Sequence, residues 1–112
     1  MKAIPAASAI EQVFHPGGDA TAAAVGNNGV NVVATTTLIL YFEETAAALV
    51  LPYLEEDDVT VGTHVCVDHL APAQTGIPVT VRAELSRQEG RRLEFSMEAR
   101  QGSTLVMKGE HH

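Results

Sequence analysis

Residues 35–53 read TTTLILYFEETAAALVLPY, apolar almost all round, with Glu43 and Glu44 as the only charges. A surface helix would carry a polar stripe along one side; a helix enclosed by other structure would not. The run is too long for a strand, and its alanine-rich second half suits a helix. The Thr35-Thr36-Thr37 cluster offers an N-cap, and Pro52 marks the exit. These residues predict one long, buried, central helix over 35–53.

Downstream the period changes from helical to two. In residues 60–70 (TVGTHVCVDHL), Thr63, Val65, Val67 and His69 share one face, and His64, Cys66 and Asp68 the other. After a turn-rich stretch from Pro72 to Pro78, Val79, Val81, Ala83 and Leu85 alternate with Thr80, Arg82, Glu84 and Ser86. A turn near Gln88-Glu89-Gly90 leads to Leu93, Phe95, Met97 and Ala99, which alternate with charged or polar neighbours. Gln101-Gly102 turns the chain into a last apolar strand over 103–110. Strands joined by short turns predict an antiparallel meander over 59–110 with one buried face.

Upstream the pattern is weaker. Residues 8–14 could form an edge strand, and His15-Pro16-Gly17-Gly18 reads as a turn. Residues 19–31, with Asn27-Asn28-Gly29, read as a loop or a short, poorly packed helix. The expected organisation is one α+β domain over 1–112. Its parts are an N-terminal strand and loop (1–34), the central helix (35–53), and an antiparallel sheet wrapped around that helix.

Composition narrows the function. The apolar fraction is 46%, enough for one real core in 112 residues, but much of it is Ala and Val. Such a thin core favours an oligomer. The net charge of −7 argues against a nucleic-acid partner. No apolar run approaches the roughly 20 residues of a membrane-spanning helix, so no membrane is expected. The opening MKAIPAASAI does not resemble a signal peptide, and the single cysteine, Cys66, excludes an internal disulfide framework. The expected compartment is the cytoplasm.

Few residues could carry chemistry. His69 shares the face of Val65 and Val67, which should look at the helix, and outward-facing Asp68 cannot be its partner along the strand. It is either a core histidine satisfied by the backbone or a functional imidazole. Glu43 and Glu44 point about 100° apart on a helix. At least one should be surrounded by protein, where a carboxylate becomes a useful base, unless both lie on a solvated corner. Composition does not separate the two. Thr35 begins the helix, either as an ordinary cap or near an anion site. His64, Cys66, His111 and His112 lack the spacing of a metal set, and no metal is expected.

The order of motifs is informative: E-x-x-A-x-x-x-x-x-P-Y-L-E from Glu43, V-G-T-x-V-C-V-x-H ending at His69, G-I-P-V-T-V-R-A-E-L from Gly76, and E-G-R-R-L from Glu89. From about Val33 to the C-terminus this closely resembles the fluoroacetyl-CoA thioesterase family of hotdog-fold proteins. The resemblance implies a pocket at a dimer interface, where Thr35, Glu43 and His69 act together on a thioester. Gly62 matches the family's glycine whose backbone approaches the acyl group, and Glu43 is chosen over Glu44. The implied partners are an acyl-CoA substrate and a second copy of the chain, in a homodimer or higher homo-oligomer. No cofactor is implied beyond the coenzyme A moiety of the substrate.

The sequence departs from the family's pattern in two places. The stretch AAAVGNNGVNVV before the helix is shorter and has no aromatic residue to gate an acyl pocket, so fluoroacyl selectivity is not implied. The family's last strand also continues beyond the position of His112 with an arginine. Hydrolysis of a small acyl-CoA thioester is the leading expectation. The alternatives are a non-catalytic acyl-CoA or small-ligand binding hotdog protein and, further off, an acyl-CoA hydratase.

Overall fold

The computed structural model describes residues 2–17, 21 and 32–112. The Asn27-Asn28-Gly29 turn and most of the 19–31 stretch lie outside the described residues. Helix α1 runs Thr35–Val50 and continues into a single 3-10 turn, Leu51–Tyr53. Ala34, in an extended conformation, occupies the N-cap without a side-chain cap bond. Thr35 is therefore not the cap but the first helical residue, and its hydroxyl is free for another partner. Pro52 falls at the start of the 3-10 turn, where its missing N–H costs little.

Leu38, Phe42, Thr45, Ala46, Leu49 and Val50 are the buried residues of α1. Their spacing defines one stripe. Leu40, Glu43, Glu44 and Ala47 are exposed. The expected enclosed helix is thus corrected: among the described residues, protein covers one side only, and neither glutamate is surrounded. The buried polar group of the helix is Thr45, whose Oγ1 donates to the Tyr41 carbonyl at 2.8 Å. That bond removes the cost of burying a hydroxyl.

The covering layer is a five-stranded antiparallel sheet of β1 (Ala9–Phe14), β2 (Val65–His69), β3 (Val79–Glu89), β4 (Arg92–Gln101) and β5 (Thr104–His111). Spatial order is β1-β3-β4-β5-β2. Val79, Val81, Ala83, Leu85, Phe95, Met97 and Ala99 bury the alternating face predicted for them. The β3–β4–β5 meander turns at Gly90 (φ 60°) and Gly102 (φ 59°), a backbone that glycine adopts without strain. At the β1 edge, Phe14 stacks on Tyr41 with ring centroids 4.1 Å apart.

Two expectations about β2 are corrected. It pairs with β5 rather than with β3, and regular strand begins only at Val65. Residues 70–78 contain Pro72 and Pro78, which cannot donate to a ladder, and the Leu70 and Ala71 N–H groups bond the Val106 carbonyl instead. The chain is thereby carried across the sheet rather than folded into a hairpin. Val59 and Val61 are 86% and 74% exposed, so the alternation of 59–64 has no layer to bury against. Gly109 holds β2 close: a Cβ there would lie 2.1 Å from the Cys66 carbonyl oxygen and 2.8 Å from Val67 Cα.

Candidate active site

Side chains with chemistry gather in two places along α1. At its first turn, Thr35 Oγ1 lies 2.8 Å from His69 Nδ1 at the end of β2. His69 leaves the strand on the helix side, as the alternation predicts. It is nonetheless exposed, because β2 is the outer strand of the sheet and nothing among the described residues covers it. Of the two readings open for His69, the backbone-satisfied core histidine is set aside: the ring is at the surface, with a threonine as its partner.

The second place surrounds Glu43. Its Oε1 lies 3.8 Å from His111 Nε2, on β5. Gly62 fills the third side, and a Cβ added there would stand 3.1 Å from His111 Nε2 and 3.3 Å from Glu43 Oε1. A Cβ there would make both groups give way by a few tenths of an ångström. The three line a cleft of about 860 Å³, together with Leu40, Arg91 and Arg92. The Glu43 side chain is 50% exposed, whereas His111 is buried. Burial pushes the His111 imidazole below its usual value, against the opposing pull of the Glu43 carboxylate.

One chain therefore unites Thr35 with His69, and Glu43 with Gly62, but keeps the pairs apart. Glu43 lies eight positions beyond Thr35 on the helix, about 12 Å along the axis. His69 does not line the cleft that Glu43 lines. The expectation of Glu43 and His69 in one buried pocket is not met within a single subunit.

His111 escapes sequence reasoning when taken as half of a terminal His-His pair. The signal is present all the same: Met107, Gly109 and His111 alternate onto one face of β5, continuing an inward row. Among the described residues, no three His, Cys, Asp or Glu side chains stand close enough to hold a metal ion. Among them, too, no helix is long and apolar enough to cross a membrane.

A single long helix laid on one face of a five-stranded antiparallel sheet, with acid and imidazole groups at its open side, defines a protein of the hotdog thioesterase class. The family model for FlK, fluoroacetyl-CoA-specific thioesterase, matches residues 18–112, and the chain belongs to that family. The fluoroacetyl-CoA thioesterase of Streptantibioticus cattleyicolor is 43% identical over 60 residues, covering 54% of this chain and 43% of that protein. The match thus spans less than half the length of that relative.

Solved structures agree with this placement. A phenylalanine-to-alanine mutant of FlK in complex with fluoroacetate and CoA superposes with a TM-score of 0.91 at 28% identity, over 96% of this chain and 91% of that one. A Thermus thermophilus protein described as a thioesterase superfamily member gives 0.91 at 27% identity, over 99% and 82%. A hot-dog-like protein from Thermanaerovibrio acidaminovorans gives 0.87 at 25%, over 96% and 79%.

Proposed function

We propose that the chain hydrolyses a small acyl-CoA thioester at a site completed by two copies of itself. The supporting observation is the paired arrangement on α1: a threonine–histidine couple at one end, and a carboxylate beside a backbone glycine further along. Glu43 accepts a proton from water as the water oxygen bonds to the thioester carbonyl carbon. In the covalent variant a Glu43 oxygen bonds to that carbon, the thiolate leaves, and water then cleaves the mixed anhydride to the free acid and Glu43. The Gly62 N–H, or one at the start of α1, stabilises the developing oxyanion. As the C–S bond breaks, His69, oriented by Thr35, receives that proton from Glu43 and passes it to the departing thiolate sulfur, leaving both groups as they began. No metal or organic cofactor takes part, and coenzyme A enters as part of the substrate. Arg91 and Arg92, beside the cleft, suit its phosphates.

A homodimer is the assembly that supports this chemistry. Among the described residues β2 ends the sheet with an unpaired edge, and Val65, Leu70 and Leu40 are 38%, 51% and 50% exposed. An uncovered edge and apolar surface of this kind invite a second copy. Antiparallel pairing of two β2 strands about Val67 would set His69 opposite Val65 of the other copy. Val65 is the position that pairs with His111, beside Glu43. The offset between the two couples would then be removed across the interface. The free, exposed Cys66 suits a reducing compartment, and we assign the protein to the cytoplasm.

The test is thiol release from a panel of short acyl-CoA thioesters by wild type, E43Q and H69A. Turnover in the wild type that is lost in both variants is expected; unchanged turnover in both removes the proposal. The separation of Glu43 from His69 within one chain favours a second reading, a binding protein without catalysis. Thermal stabilisation by coenzyme A derivatives with no thiol release would support it instead.

A further inference from the structure

We propose that His111 is a positioning residue for Glu43, its Nε2–H closing the 3.8 Å gap to one carboxylate oxygen as substrate binds, so that the other faces the cleft. Its kinetic consequence rests on the hydrolase reading; the contact itself does not.

His111 is 7% exposed, and both ring nitrogens are buried without a hydrogen-bond partner among the described residues. Burying such groups unpaired costs about 1–3 kcal/mol, so the ring calls for a function that offsets it. The acid facing it is Glu43, at 3.8 Å, while the Phe95 ring, with its centroid 6.3 Å away, makes the surroundings apolar. The two partners differ in rigidity. His111 stands on β5, paired with Val65 on one side and Phe95 on the other, whereas Glu43 reaches half-exposed from a helix. A donor fixed in the sheet limits the wandering of the carboxylate and raises the fraction of time it spends aimed at substrate. Gly62 completes the arrangement, because any side chain there would press on both groups.

The protonation state suits a donor. Burial is the main cause holding the imidazole below its ordinary range, with Glu43 opposing and His112 assisting. At neutral pH the ring is therefore uncharged and carries one N–H. It can orient the carboxylate without neutralising the charge that accepts the proton of water. The other charged or titratable groups nearby are His64, whose ring lies tilted against that of His112 with centroids 4.8 Å apart, and Glu44, Asp57, Asp58, Arg91 and Arg92 in the same cleft.

Two measurements decide the matter. In H111L the ring volume is largely refilled and the donor is gone. Its kcat should fall roughly 10- to 100-fold, the rate equivalent of one hydrogen bond to a charged group, with KM little changed. H111Q, which keeps an N–H at nearly the same reach, should recover most of that loss. Full activity in H111L, or equal loss in both variants, overturns the proposal. Separately, nitrogen-15 NMR titration of the imidazoles in wild type and E43Q needs no turnover. The His111 midpoint should move further down in E43Q, since Glu43 raises it. An unmoved midpoint overturns the contact. A wild type that releases no thiol defeats the hydrolase reading, and the titration still judges the pairing.

Discussion

The hydroxyl of Thr35 and the Nδ1 of His69 stand 2.8 Å apart, joining the first helical residue to the last residue of an edge strand. The contact spans 34 positions of sequence, and it exists because Ala34 rather than Thr35 occupies the N-cap. A threonine engaged in capping would have no hydroxyl to offer. The bond fixes the face of the imidazole and leaves Nε2 for chemistry.

T35V should therefore misorient His69 without unfolding the helix start, since no capping bond is lost. A fall in kcat on the order of 100-fold is expected, with T35S close to wild type. Steady-state thiol release on an acyl-CoA active with the wild type checks this. Equal rates for T35V and T35S would show that the hydroxyl is idle.

Gly109 brings β5 against β2, and a methyl group there would meet the Cys66 carbonyl at 2.1 Å. G109A should loosen β2 and lower stability by about 1–3 kcal/mol, as overpacking does elsewhere. Urea denaturation measures the loss, and hydrogen exchange should show it concentrated in the amides of Val65–His69. A protein as stable as wild type would mean that the close approach of Gly109 does not hold β2 in place.

The helix could be read from the length, alanine content and flanking Thr and Pro signals of residues 35–53, and the meander from the clean alternation of residues 79–101, which maps onto one geometry. The partner of β2 could not, because alternation states which residues share a face but not which strand lies alongside. Only the Pro72–Pro78 crossing decides that. Exposure of Glu43 was hidden for a related reason. An all-round apolar helix looks the same whether its second side meets its own sheet or a second subunit. His111 lay concealed beside His112, although the row from Met107 through Gly109 pointed at it.

Stability should depend on pH through His111. Its imidazole is held below 6.5 in the folded chain, so the unfolded state takes up a proton first as the medium is acidified. Stability is then full above pH 6.5 and declines as pH falls from there toward the lowered folded value. Melting temperatures across this range should slope downward on acidification in wild type and less steeply in H111L. Parallel slopes would place the pH dependence in other groups.

Val65, 38% exposed on the open edge, should lie between subunits. Wild type should run as a dimer in light scattering at micromolar concentration, and V65D, which buries a charge there, should shift it towards monomer and cut thiol release with it. A monomeric wild type that still hydrolyses thioesters would contradict the assembly.

Subunit mixing asks most directly whether Glu43 and His69 work together across two copies of the chain. E43Q and H69A, each inactive alone, would be unfolded together, refolded as a mixture and assayed for thiol release. A mixed dimer joins the intact Glu43 of one copy to the intact Thr35–His69 couple of the other, restoring one site of two. Random pairing should then return roughly a quarter of wild-type turnover. A mixture no more active than either variant, with mixed dimers shown to have formed, would contradict the account.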